Sequence, residues 1–182
     1  VLLKLSNSME SGDVQPSRIE RARQKIRDLL SLRQGASTGL VVYSGSAHLV
    51  MPLTQDERVI ENMLEELGPE VMPLDGDALE EALQLGGEMM QRAGIPGSML
   101  VIADTVAPPP ADAVAGLESP YPVQFLSIQS LELSLDPGLR EAADALGATI
   151  QQLTPDEQDV QKIAHRARSL EMAPGTQTEE QR

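Results

Sequence analysis

The sequence predicts an α/β protein: an open, mostly parallel six-stranded sheet covered by helices on both faces. Three observations predict it. Short apolar runs alternate along the chain with longer segments whose apolar residues recur at helical spacing. The runs are apolar at successive positions, as strands covered on both faces are. One connection between two runs, Ser44-Gly45-Ser46, is too short for a parallel crossover and makes its two strands an antiparallel hairpin at a sheet edge.

The elements follow in order. Val1 to Leu5 is the first strand. Pro16 stands near the start of a helix with Ile19, Ala22, Ile26, Leu29 and Leu30 on one stripe and basic residues around it, ended by Gln34-Gly35. Gly39 to Tyr43 and His48 to Leu53 form the edge hairpin. Thr54 is expected to cap a helix through Val59, Ile60, Met63, Leu64 and Leu67, stopped by Gly68-Pro69. Asp75 or Asp77 is expected to cap the next, whose apolar face is Leu79, Leu83, Leu85, Met89 and Met90 and whose Gly86-Gly87 pair permits close packing.

Ser98 to Ala103 is a strongly apolar strand ending at Asp104. Carboxyl-terminal strand ends are where open α/β sheets build their sites, so Asp104 is a candidate from its position alone. Pro108 to Ala115 reads as a short helix or turn, Val123 to Ile128 as the fifth strand, Pro137 to Leu146 as a helix closed by Gly147, and Ala148 to Leu153 as the sixth strand. Thr154-Pro155-Asp156-Glu157 opens a last helix running to about Leu170. Residues 1–172 thus form one domain, and the polar segment 173–182 reads as a tail or linker.

Composition removes several function classes. Fourteen basic against 28 acidic residues leave a net charge of -14, which repels phosphate backbones and anionic membrane surfaces and so argues against a nucleic-acid partner. Cysteine is absent, which excludes thiolate ligands and cysteine nucleophiles. His48 and His165 are far apart in the chain with no histidine beside them, a poor basis for zinc. No Gly-x-Ser-x-Gly elbow and no phosphate-cradling glycine loop occurs. No apolar run reaches the ~20 residues of a membrane span, so direct insertion by this segment is not expected. The chain opens at Val1-Leu2-Leu3, inside the first strand, and is expected to be a piece of a longer protein.

Several strings carry a resemblance: Lys4-Leu5-Ser6-Asn7-Ser8-Met9, then Asp13-Val14-Gln15-Pro16-Ser17-Arg18, then Pro52-Leu53-Thr54-Gln55-Asp56. Gly39 to Ala47 and Met72 to Leu79 continue it. The chain resembles the von Willebrand factor A domains of the bacterial Bat, or aerotolerance-type, membrane proteins. That resemblance implies a three-layer Rossmann-like fold with strand order 3-2-1-4-5-6. It also implies a membrane-associated parent protein, anchored through segments outside this one, with the membrane side undetermined.

The family's metal-ion-dependent adhesion site gathers a strand-one aspartate, two serines, a threonine and a fourth-strand aspartate around Mg²⁺ or Mn²⁺, which leaves a position for an acidic partner. Ser6 and Ser8 match the serines and Asp104 the later aspartate. Two positions depart. Lys4 stands where the first aspartate belongs, and Gly76-Asp77 where glycine-threonine is common. An ammonium has no lone pair and repels a nearby cation, so no metal is expected. Lys4 is expected instead to act as counter-charge for Asp77 and Asp104, with its nitrogen within about 4 Å of one of them. The plainer alternatives are a solvent-directed Lys4 beside a decayed loop and serine hydroxyls that merely cap backbone groups.

Three functions are weighed on these residues. The leading one is a non-catalytic interaction module whose loops around Ser6, Asp77 and Asp104 receive a protein partner. The second is a Mg²⁺-dependent adhesion or hydrolytic site on the acidic loops, against which the lysine counts. The third is a structural domain that contacts its neighbours through its helices.

Overall fold

The computed structural model describes residues 1–108 and 117–172. Its sheet has six strands: β1 (Leu2–Lys4), β2 (Thr38–Tyr43), β3 (Ala47–Thr54), β4 (Met99–Ala103), β5 (Val123–Ser127) and β6 (Thr149–Gln152). Their order is β3-β2-β1-β4-β5-β6, as the sequence implies. The β2 and β3 pair is antiparallel and the other four pairings are parallel.

Alternation along the strands assigns the two faces. Leu3 and Leu5, Leu40 and Val42, and Leu100 and Ile102 enter one core with Ile26 of α1 (Arg18–Leu32), Ile60 of α2 (Glu57–Glu65) and Val160 of α5 (Gln158–Met172). Leu2, Val41, Val101 and Phe125 enter the other with Leu83 of α3 (Leu79–Ala93) and Leu139 of α4 (Pro137–Leu146). The inner strands β1, β2, β4 and β5 are covered on both sides, which is why their residues are largely apolar at successive positions, while the edge strands β3 and β6 are only partly covered. Gly86 allows α3 to close on the sheet: a Cβ there would lie 2.9 Å from Met99 Sδ and 3.3 Å from a Leu2 methyl.

Helix starts depart from the sequence expectation. Asp56, not Thr54, caps α2, its carboxylate accepting from the N–H groups of Arg58 and Val59. Thr54 is still the last residue of β3, and its hydroxyl accepts from Asp56 N–H. Val59, expected on the apolar stripe, is exposed, and Ile60 and Leu64 carry the buried face of α2. Neither Asp75 nor Asp77 caps α3: the N-cap is Ala78 without a side-chain bond. Both carboxylates are spent on tertiary contacts described below. Helix α5 begins at Gln158, after a bend at Pro155–Glu157. Of the stretch read as a short helix or turn, Pro108 to Ala115, all but Pro108 lies outside the described residues, as does the tail at 173–182.

Candidate functional site

Parallel strands end on the same edge, so β1 and β4 deliver Lys4 and Asp104 side by side above the sheet. Two glycines bring a third element there. A Cβ on Gly45 would meet Asp75 O and Leu74 Cβ at 2.8 Å, and Gly76 has φ +155°, a conformation that favours glycine. Gly45 N–H donates to Leu74 O at 2.9 Å and Ala78 N–H to Ser44 O at 2.6 Å. The loop before α3 is thereby pinned to the β2–β3 turn, with Asp77 facing Lys4.

Lys4 is buried, its side chain 4% exposed. Its ammonium donates to Asp77 Oδ2 at 2.9 Å, Thr105 O at 2.8 Å and Thr105 Oγ1 at 3.2 Å, and lies 3.8 Å from Asp104 Oδ1. The solvent-directed alternative is therefore wrong. Asp104 is fully buried. Its Oδ1 accepts from Thr105 N–H at 2.8 Å, and its Oδ2 from Arg18 Nη1 at 2.8 Å. Asp77 Oδ2 also accepts from Ala107 N–H at 2.7 Å, while Asp77 Oδ1 is buried without a partner among the described residues.

Arg18 is a second cation that the sequence reading passed over. At the start of α1 it reaches both Asp104 and Asp13, its Nε 2.7 Å from Asp13 Oδ1 and its Nη2 3.1 Å from Asp13 Oδ2. Burial alone would lower its pKa; the hydrogen bonds to Asp13 and Asp104, with their charges, outweigh that and raise it. The available signal was the string Asp13-Val14-Gln15-Pro16-Ser17-Arg18, which entered the family resemblance without a role for its last residue.

Ser6 and Ser8 come to the same edge, where Ser8 O accepts from Arg18 Nη1 at 3.5 Å but neither hydroxyl bonds a charged group. Their hydroxyls bond each other at 2.8 Å. Ser6 is the N-cap of the short 3-10 helix Asn7–Glu10 and makes no side-chain cap bond. Asp75 accepts from Asn7 N–H at 3.3 Å and from the Ser44 hydroxyl at 3.4 Å, through Oδ1 in both cases. These groups frame a shallow depression with Lys4 and Asp77 at its floor. Below it lies Tyr43, whose phenol is fully buried without a partner among the described residues. Burial first, and then the charges of Asp77 and Asp104, raise its pKa well above the ordinary value. It stays a neutral donor.

The model described as "von Willebrand factor type A domain" matches residues 1–106, more than half of the chain. The chain belongs to the von Willebrand factor type A domain family. It is 29% identical over 115 residues to a UPF0353 protein of Mycobacterium bovis, covering 63% of this chain and 32% of that relative. The chain thus spans about a third of the length of the curated relatives it matches. Two solved structures share the fold. BatB of Bacteroides thetaiotaomicron superposes with a TM-score of 0.74 at 24% identity, covering 90% of this chain and 93% of that one. An aerotolerance-related membrane protein of Bacteroides fragilis superposes at 0.70 with 21% identity, covering 93% and 95%.

The metal of such von Willebrand domains does not fit these residues. The Lys4 ammonium sits between the two carboxylates a cation would bridge, and both oxygens of Asp104 already accept from protein donors. A divalent ion placed there would face a positive charge at contact distance and have to break the Asp104 contacts.

The Asp13 to Arg18 contact has a measurable consequence at acid pH. The Arg18 hydrogen bond lowers the Asp13 pKa from 3.8 to about 2, opposed by burial and aided by Ser130 N–H. A folded pKa below the unfolded one means stability that is present above 3.8 and lost as pH falls towards 2. Asp13→Asn is therefore expected to be less stable than the parent at neutral pH, with the difference shrinking across that window. Urea midpoints measured down the pH series check this; a gap that stays constant at every pH would refute it.

Proposed function

We propose that this chain is a non-catalytic protein-interaction module whose loop face works without a divalent cation, Lys4 supplying the positive charge. The observation that carries the reading is the Lys4 ammonium, bonded to Asp77 and Thr105 and 3.8 Å from Asp104. A fixed ammonium holds the loops after β1 and β4 and before α3 in one arrangement, the role a cation would otherwise play. Among the described residues no nucleophile with an adjacent base lines the depression, the Ser46 hydroxyl and His48 Nε2 that meet at 2.8 Å lying at the β2–β3 turn outside it, which favours binding over turnover. Nucleic acid is disfavoured as a partner by the charge of -14.

The module further reads as part of a larger, membrane-anchored bacterial protein, attached through segments outside residues 1–182. Support comes from the chain spanning about a third of its curated relatives and from a structural neighbour described as a membrane protein. No described helix is long and apolar enough to cross a membrane.

Two measurements test the proposal. Titration calorimetry with Mg²⁺ or Mn²⁺ is expected to show no specific binding at millimolar or lower concentration, and the unfolding midpoint is expected to be the same in EDTA and in Mg²⁺. Capture of a partner from solubilised membranes is expected to survive EDTA and to fall when Ser8 and Asp75 are replaced. Divalent-dependent capture, or capture indifferent to these loops, would overturn the proposal.

A further inference from the structure

We infer that the depression above Lys4 receives a cationic side chain, a lysine or arginine of a partner protein, rather than an acidic one. The inference rests on the metal-free binding face proposed above and adds the chemistry of its ligand.

The first ground is an inventory of unused hydrogen-bonding capacity. An ammonium has three N–H donors. Those of Lys4 have three acceptors in Asp77 Oδ2, Thr105 O and Thr105 Oγ1. Every nitrogen of Arg18 likewise meets a carboxylate, Nε and Nη2 on Asp13 and Nη1 on Asp104. An incoming carboxylate therefore meets no cation free to bind it. Acceptors are what remain. Asp77 lines the depression with a side chain 5% exposed, and its Oδ1 has no partner among the described residues. Asp75 is exposed at the rim and uses only Oδ1. The hydroxyls of Ser6 and Ser8 bond each other and retain lone pairs.

The second ground is the surrounding surface. Leu74, 60% exposed, precedes Asp75 in the loop pinned to Gly45. Leu131 and Leu133, 56% and 46% exposed, follow β5 on the same edge, where Ser130 N–H donates to Asp13. Exposed Leu74 beside Asp75, with Leu131 and Leu133 elsewhere on the same edge, gives apolar surface near a carboxylate, the setting in which arginine is enriched at protein interfaces. With the chain at -14, a cationic partner surface is also the one steered towards this face.

The test uses the 182-residue chain and two blocked tripeptides as probes, acetyl-Leu-Arg-Leu-amide and acetyl-Leu-Glu-Leu-amide, followed by amide chemical shifts. The arginine peptide is expected to shift Ser6, Ser8, Gly76 and Asp77 saturably. Asp75→Asn combined with Ser8→Ala, both at exposed positions, is expected to weaken it about tenfold, and added salt to weaken it further. The glutamate peptide is expected to leave these amides unmoved with or without Mg²⁺. If the glutamate peptide binds without metal, or neither peptide moves them, the inference is wrong while the metal-free reading stands. If the glutamate peptide binds only with Mg²⁺, the metal-free reading fails and the inference falls with it.

Discussion

Lys4→Met is expected to destabilise the protein by about 3 to 5 kcal/mol, the cost of removing one member of a buried charge network. For a chain of this size that corresponds to a fall in the thermal midpoint of roughly 10 °C. An exposed lysine would cost less than about 1 kcal/mol. The size follows from what stays behind: Asp77 and Asp104 would face each other with side chains 5% and 0% exposed, and the carbonyl and hydroxyl oxygens of Thr105 would lose their donor. The reciprocal experiment pairs Lys4→Asp with Asp77→Thr, which rebuilds the family's ligand types. That double variant is expected to gain a midpoint that rises with Mg²⁺ concentration, about 2.7 kcal/mol at a hundredfold excess over Kd. If Lys4→Met matches the parent and the double variant ignores Mg²⁺, the ammonium has not taken the ion's place.

Asp104 was legible from topology, because parallel strands end on one edge of the sheet. Lys4 and Asp77 were legible only through the family resemblance, which places ligands of one site at those two positions. The guanidinium of Arg18 was not legible. It lies in a helix whose basic residues look like a solvated rim around the apolar stripe, and its partner Asp104 is 86 positions away. Periodicity reports which face is apolar; it cannot report that a long side chain runs beneath that face to a carboxylate. Ser6 and Ser8 show the opposite limit, since matching a motif put them at the edge but said nothing of their bonding to each other.

The strand order came from the family resemblance and its antiparallel edge from one short loop, whereas helix starts were not readable. Thr54 and Asp56 are both good caps two residues apart, and the choice fell to the one whose carboxylate reaches two N–H groups. Asp77 would cap α3 if local preference decided, but a buried ammonium 2.9 Å away claims it. Pro155 is a favourable first helical residue, yet α5 starts at Gln158, one residue before the Asp159 that Lys25 of α1 holds in the core.

That last contact gives the second large effect. Lys25 Nζ lies 2.8 Å from Asp159 Oδ1 with side chains 2% and 0% exposed, and it also donates to Asp156 O. Asp159 Oδ2 accepts from Thr154 N–H at 2.9 Å, so the pair ties α1 to the turn that opens α5. Lys25→Met leaves a buried carboxylate and Asp159→Leu leaves a buried ammonium; each is expected to cost about 3 to 5 kcal/mol. Desolvating two charges nearly cancels their attraction, so replacing both with apolar residues restores much of the loss. The double variant is therefore expected to be about 2 kcal/mol more stable than either single variant, far from the sum of their effects. It should remain below the parent, because Thr154 N–H loses its acceptor in either background containing Asp159→Leu. Urea unfolding of the four proteins measures the cycle. Additive effects, or single substitutions each costing under about 1 kcal/mol, would mean that the pair is solvated in solution and that α5 is held by Val160, Ile163 and Ala167 alone.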